Sequence, residues 1–326
     1  MPKVKKEIEE EGPANTGKFK PDLTELKGIG ADTADKLIDF GIASISELAQ
    51  TPSIILRSLG LKNTETLLYN AREYCKINKF SLASEIKQKW RLPTGVKLLD
   101  NMIGDGIESQ VITECYGPFS TGKSQTAQTL VAQALELGGE AIYIDTENQI
   151  RPERLKQILD ARGINSEEGL KKIWMVEAVN SDHQRSIVKW QVPDLARNHN
   201  IKLLVIDSIM AHFSAEYIGR AFLAERQQTL NQHIYEILRM ARTYDFPVVI
   251  TNQVRSKPDT FVPAPFNLEA VGGNIIAHSA SLRLFLRKGQ GSKEGNRVAT
   301  LMDSSSSPYG EAPFKISERG IEDVED

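Results

Sequence analysis

Gly117-Pro118-Phe119-Ser120-Thr121-Gly122-Lys123-Ser124 is the stretch on which the reading of this chain turns. It fits G-x-x-x-x-G-K-S in full. An apolar run, Val111 to Tyr116, precedes it, and Ala127, Leu130, Val131, Ala134 and Leu135 follow at helical spacing. A strand that ends in such a loop and opens a helix is a cradle for phosphate. The glycines let backbone amides wrap the anion, and the helix N-terminus adds positive potential. Lys123 is placed to reach the β and γ phosphates, and Ser124 to hold Mg²⁺. Gly117 through Ser124, with Gln125 behind them, are the candidate nucleotide-binding residues, and ATP with Mg²⁺ is the expected ligand.

Downstream, apolar runs alternate with helical stretches. Strands are expected at Ala141 to Asp145, Ile173 to Val176, Leu203 to Asp207 and Pro247 to Thr251. Leu282 to Leu286 and Val298 to Met302 read as closing strands. The unbroken run Leu203-Leu204-Val205-Ile206 suits a central strand covered on both faces. The predicted architecture is α/β, a mostly parallel sheet with helices on both sides. Asp207 ends that central strand and becomes the candidate carboxylate beside the metal, together with Ser124. Glu147 follows the strand Ala141 to Asp145 by two residues and is the candidate general base for an attacking water, with Lys123 as its catalytic partner.

Upstream the texture changes. Residues 1–20 are Lys, Glu, Gly and Pro with almost no apolar spacing, which predicts a disordered tail. Residues 21–76 read as a small all-α domain: Asp32 and Asn63 are candidate helix caps, and Ser44 with Glu47 has capping-box spacing. Within it, Leu26-Lys27-Gly28-Ile29-Gly30 sets two glycines between helices, where backbone amides can approach a phosphate. Gly28 and Gly30 are therefore candidate DNA contacts in a helix-hairpin-helix; a tight turn without a ligand is the alternative. Residues 77–92 read as a linker, and residues 93–326 as the α/β core.

Bulk properties narrow the classes. The chain has 326 residues, 40% hydrophobic and 25% charged, in the range of a globular protein. Its net charge is −3, so any nucleic-acid site has to be a local patch. No apolar run approaches the roughly 20 residues a membrane helix needs, and Met1 to Glu11 lacks the apolar segment of a secretory signal. Cys75 and Cys115 make no disulfide scaffold and suit a reducing compartment.

The ordered series of motifs resembles the archaeal RadA recombinases of the RecA/Rad strand-exchange family. Beyond the P-loop it comprises Tyr143-Ile-Asp-Thr-Glu147, Arg151-Pro-Glu-Arg154, Asp182-His-Gln184, Ala215-Glu-Tyr217, Gly219-Arg220, Leu223-Ala-Glu-Arg-Gln-Gln228, Ile250-Thr-Asn-Gln-Val254, Gly272-Gly273 and Leu286-Arg-Lys-Gly289. The resemblance runs from about Leu23 to Ile321 and implies a RecA-type P-loop ATPase core behind a helix-hairpin-helix domain. It implies a DNA-dependent ATPase that polymerises, as filament or ring, on single-stranded DNA, also engages double-stranded DNA, and exchanges strands. On the same ground Arg154 would stack on adenine and Gln253 would sense the γ-phosphate. Asp303, in the cap over a neighbour's nucleotide, would contact that nucleotide. Arg220, in a first DNA loop around Ser214 to Phe222, and Arg255 and Lys257, in a second over residues 254–273, would grip DNA phosphates. Pro258, Pro263, Pro265, Gly272 and Gly273 predict no regular structure in that second loop. Phe80 and Ala83 match the F-x-x-A element through which such recombinases polymerise. The implied location is cytoplasmic, with the chromosome in the nucleoid, and no membrane partner.

The sequence departs from the family at Pro118 and Ser120-Thr121, at Asn148-Gln149-Ile150, and at Asp303-Ser304-Ser305-Ser306-Ser307-Pro308. These leave the P-loop cation, hydroxyl and both carboxylates in place and bear on hydrolysis rate and the contact between subunits. A RecA-fold regulator or mediator without strand exchange is the nearest rival reading. A RecA-like helicase or clock-type ATPase is less well supported, because of the helical domain and Phe80.

Overall fold

The computed structural model describes residues 22–256, 268–289 and 296–324. The tail, residues 1–20, and Lys257 lie outside the described residues.

Among the described residues, a 3-10 turn at Leu23–Glu25 is followed by short helices α1 (Ala31–Asp39), α2 (Ile45–Ala49), α3 (Ser53–Ser58) and α4 (Thr64–Tyr74). They enclose an apolar core of their own, in which Leu23, Leu37, Ile45, Leu48, Leu56 and Ala71 are completely buried. The expected caps hold only in part. Gly30, not Asp32, occupies the N-cap of α1, and Asp32 sits in its first turn, where a carboxylate suits the helix dipole. Asn63 precedes α4 in a left-handed conformation, so its side chain makes no capping bond. Ser44 and Glu47 do form the capping box of α2. Gly28 takes a φ of +102°, which favours glycine, and this turns the chain between Leu26 and α1.

The Glu47 carboxylate has a second task. One oxygen accepts the amides of Ala43 and Ser44, at 2.6 and 2.8 Å. The other accepts from Arg197 Nη1 at 2.6 Å and from the Tyr244 hydroxyl, both on the α/β body. Glu47 is only 1% exposed, so this fully hydrogen-bonded charge joins the helical unit to the core. Removing one partner of such a pair costs about 3–5 kcal/mol, because the other charge is left buried. Beside it Phe40 meets Trp190 edge-on at 5.8 Å, and Lys189 Nζ lies over both rings.

The core begins with β1 (Arg91–Leu92), which pairs with β2 (Ile107–Glu108) around α5 (Lys97–Ile103). Next come β3 (Ile112–Tyr116), α6 (Lys123–Glu136), β4 (Glu140–Asp145), α7 (Pro152–Ala161), α8 (Ser166–Leu170) and β5 (Ile173–Glu177). They are followed by α9 (Ser181–Ser186), α10 (Val192–Asn198), β6 (Ile201–Asp207), α11 (Ala211–Glu216), α12 (Leu223–Tyr244) and β7 (Val248–Asn252). The chain ends through β8 (Val254–Ser256), β9 (Leu268–Ala270), α13 (Asn274–Ser279), β10 (Ala280–Lys288), β11 (Asn296–Ser304), β12 (Gly310–Ser317) and β13 (Gly320–Glu322).

Among the described residues the main sheet has nine strands in the order β13-β12-β11-β10-β3-β7-β6-β4-β5. From β10 to β5 the pairing is parallel, and β11 to β13 close the other side antiparallel. Alternation explains the unbroken apolar strands. Tyr143, Leu203, Val205 and Val249 pack on one face with α6 and α7, while Ile142, Ile144, Leu204, Ile206 and Ile250 pack on the other with α12. This is a RecA-type α/β core with a mostly parallel central sheet.

Two expectations need correction. The second loop is not irregular throughout, because β8 and β9 pair as an antiparallel ribbon, Val254 opposite Ala270. Pro258, Pro263 and Pro265 fall in sequence between these strands, outside the described residues. The first loop is also shorter than expected. Helix α11 runs through Glu216, whose carboxylate accepts the Ser181 amide at 2.8 Å, and Arg220–Phe222 forms a 3-10 turn.

His233 on α12 is 2% exposed. Gln184 Nε2 donates to Ile209 O, which orients the amide, and the same nitrogen lies 3.2 Å from His233 Nε2. Its Nδ1 is buried without a hydrogen-bond partner among the described residues, and burial keeps the ring neutral. Burial holds its pKa down at about 3, against 6.5 when unfolded. The unfolded chain takes up a proton below pH 6.5 while the native ring does not, so stability falls as pH drops from there toward 3. Between pH 6.5 and 5 the group should remove about 1.5–2 kcal/mol. Urea midpoints at the two pH values check this: the loss should be smaller in His233→Gln, and an equal loss would contradict it.

Candidate active site

Strand alternation brings the site together. Tyr143 and Asp145, Val205 and Asp207, and Val249 and Thr251 occupy alternate positions on β4, β6 and β7, and their face is the one α6 covers. The carboxyl ends of these strands meet the P-loop at the end of β3, the edge where open α/β sheets bind ligands.

The loop closes on itself. Gly122 caps α6 at a φ of +99°, so the first amides of that helix have no partner within it. A Cβ on Gly117 would lie 2.2 Å from Leu286 O on β10, so this first position admits only glycine. Lys123 Nζ donates to the carbonyls of Gly117 and Pro118, both at 2.9 Å. Burial lowers its pKa, and Asp207 and Glu147 oppose that shift. Thr121, 1% exposed, donates its hydroxyl to Pro118 O, and Arg297 braces the loop from β11 through Ser120 O. Phe119 is 85% exposed.

Asp207 is buried, which raises its pKa, while hydrogen bonds from Thr251, Tyr143 and Ser124 work the other way. Glu147 stands beside it. Its Oε1 accepts from Ser208 Oγ at 2.8 Å and from Gln253 Nε2 at 3.0 Å. Asp145 shapes the turn that presents Glu147, accepting the amides of Glu147 and Ile150 at 3.0 Å each. Thr146 locks this turn to Ser208.

These groups line a cavity of about 430 Å³ reaching from Gly117 to Gln125 and across to Glu147, Asp207, Thr251 and Gln253. Its donors suit a polyphosphate with a hard divalent cation: helix-end amides and an ammonium for the anion, a hydroxyl and a carboxylate for the metal. A larger cavity, about 630 Å³, opens between the helical unit and the core but holds none of these groups.

The other candidates lie around this centre. Arg154 is held by Gln125 Oε1 through Nε and Nη2, at 2.9 and 2.6 Å, and by Ser317 O at 2.6 Å. Asp303 is exposed on β11, opposite Arg283, and does not line this chain's own cavity. Arg220 is exposed, and Arg255 pairs across the β8–β9 ribbon with Glu269 at 3.7 Å. The segments bearing them converge, since Leu223, Arg226 and Gln227 share a small cleft with Arg255, Gly272 and Gly273. Phe80 is fully exposed, Ala83 opens a 3-10 turn, and Leu82 and Ile86 are exposed with them. Ser208, Thr251 and the hydroxyl of Tyr143 were not legible as partners of the candidate carboxylates, because nothing in the local sequence marks which neighbours face a carboxylate.

Fold and site together define a P-loop nucleotide-binding protein with a RecA-type core. The Rad51 family model matches residues 86–324, and the chain belongs to that family of RecA-like recombinases. Members of the family are DNA-dependent ATPases that use ATP and Mg²⁺, form filaments on DNA and act on chromosomal DNA. Among the described residues no helix is long and apolar enough to cross a membrane.

Proposed function

We propose that this chain is an ATP-dependent recombinase of the archaeal RadA type, which assembles on single-stranded DNA and catalyses homologous pairing and strand exchange. The observation that carries this reading is the position of Gln253. Its side chain donates to Glu147, and its carbonyl accepts the Val271 amide at 3.0 Å, beyond the β8–β9 ribbon. One residue thus touches both the candidate base and the neck of the candidate DNA loop.

In this reading the amides of residues 117–125 and Lys123 hold the phosphates, and Ser124 and Asp207 hold Mg²⁺. Bound Mg²⁺ supplies charge neutralisation on the phosphates. Glu147 orients a water and takes its proton, and Gln253 turns to the γ-phosphate. Arg154, fixed in plane by Gln125 and Ser317, offers its face to adenine. Arg220, Arg255 and Lys257 contact DNA phosphates, and Gly28 and Gly30 offer amides to duplex DNA in a helix-hairpin-helix. Asp303 reaches the nucleotide of a neighbouring subunit, and Phe80 with Ala83 anchors that neighbour. The domain limits at residues 20, 76 and 92 belong to the same proposal.

The test is ATP turnover with and without single-stranded DNA, electron microscopy for filaments, and a D-loop assay. Stimulated turnover, filaments and D-loops are expected. Filaments and turnover without D-loops would favour a regulator or mediator instead.

A further inference from the structure

Three hydroxyls converge on Asp207, and two of them come from the strands flanking β6. The Tyr143 hydroxyl on β4 donates to Oδ2 at 2.7 Å, and the Thr251 hydroxyl on β7 donates to Oδ1. Tyr143 and Thr251 are both completely buried. The third hydroxyl, on Ser124, belongs to the N-terminal turn of α6.

A tyrosine buried in the middle of a strand, packed among Ala141, Leu203 and Val205, has a hydroxyl that needs a partner. A phenylalanine ring would bury the same apolar surface without a hydroxyl that needs a partner. Here the hydroxyl is used, because each carboxylate oxygen is held by a donor from a different strand. Two buried donors on opposite neighbouring strands restrain the carboxylate, and Ser124 approaches it from α6. We infer that Tyr143 and Thr251 are positioning residues that hold Asp207 in the orientation a metal–nucleotide complex requires. This rests on the reading of Ser124 and Asp207 as the metal site. Neither residue would touch the metal; each acts through Asp207. Groups that orient a metal-binding carboxylate in this way typically affect metal affinity by 10- to 100-fold.

The experiment titrates Mn²⁺ into the full-length protein with a non-hydrolysable ATP analogue, reading free Mn²⁺ by electron paramagnetic resonance. Analogue affinity in EDTA is measured alongside. Tyr143→Phe and Thr251→Val should each bind Mn²⁺ about tenfold more weakly, with affinity in EDTA unchanged. Thr251→Ser, which keeps the hydroxyl but loses a methyl group, should match the parent. A role confined to packing reverses that pattern, since valine preserves the shape of threonine and serine does not. Parent-like Mn²⁺ binding in both Tyr143→Phe and Thr251→Val overturns the inference, as does a loss in Thr251→Ser alone. If Tyr143→Phe fails to fold, the valine and serine pair decides. Asp207→Asn separates the two levels: parent-like Mn²⁺ binding there defeats the metal-site reading itself. Weak binding in Asp207→Asn with parent-like Tyr143→Phe and Thr251→Val defeats only the positioning role.

Discussion

Glutamine at position 147 is expected to slow ATP hydrolysis by about 10²–10⁴-fold while nucleotide still binds, the range for removing a general base. Glu147 lies in the cavity lined by the P-loop, with one oxygen already held by Ser208 and Gln253. An amide of the same shape can keep the Ser208 contact through its oxygen but cannot accept a proton from water. The P-loop amides and Lys123 are untouched by the change, so affinity for a non-hydrolysable analogue should match the parent. Phosphate release at saturating ATP, with and without single-stranded DNA, measures the effect. Turnover equal to the parent would remove Glu147 from the chemistry and leave Asp207 and its neighbours to be tested as the base.

The second large effect is on assembly. Phe80 presents its whole ring to solvent, beside exposed Leu82 and Ile86. An aromatic residue this exposed contributes nothing to the packing of its own chain. It gains binding energy only when a pocket on another molecule covers it. Truncating an aromatic anchor at an interface typically costs about 2–4 kcal/mol, or roughly 30- to 1000-fold in affinity. Phe80→Ala should therefore elute as a monomer at concentrations where the parent elutes as large assemblies. Its thermal unfolding, followed on the monomer fraction, should match the parent, because no packing inside the chain is lost. Assemblies of parental size in the variant would place the anchor elsewhere.

The local motifs were legible because each carries its own geometry. Gly117 to Ser124 announces a strand, a turn and a helix in sequence, and the structure builds β3, the loop and α6 there. The continuous apolar runs announced buried parallel strands for the same reason, since both of their faces must be covered. Helix caps were less secure. Asp32 and Gly30 are both acceptable at a helix start, and which one occupies the cap depends on where the Gly28 turn delivers the chain. The 254–273 segment misled because prolines inside a loop say nothing about pairing at its ends, which β8 and β9 achieve across a gap in sequence.

By itself, then, the sequence determined the α/β class and marked the P-loop and the candidate carboxylates at positions 147 and 207. These follow from short-range spacing and the two-residue period of strands. Only the tertiary structure decided what surrounds those carboxylates. Tyr143 and Thr251 reach Asp207 because β4 and β7 flank β6, an order that no local pattern encodes. Glu47 belongs to a capping box in its sequence, yet it becomes the joint to Arg197 and Tyr244 once the helical unit is docked. In both cases the deciding interaction spans elements distant along the chain. Its strength comes from burying a charge together with its hydrogen-bond donors, which only the assembled fold can do.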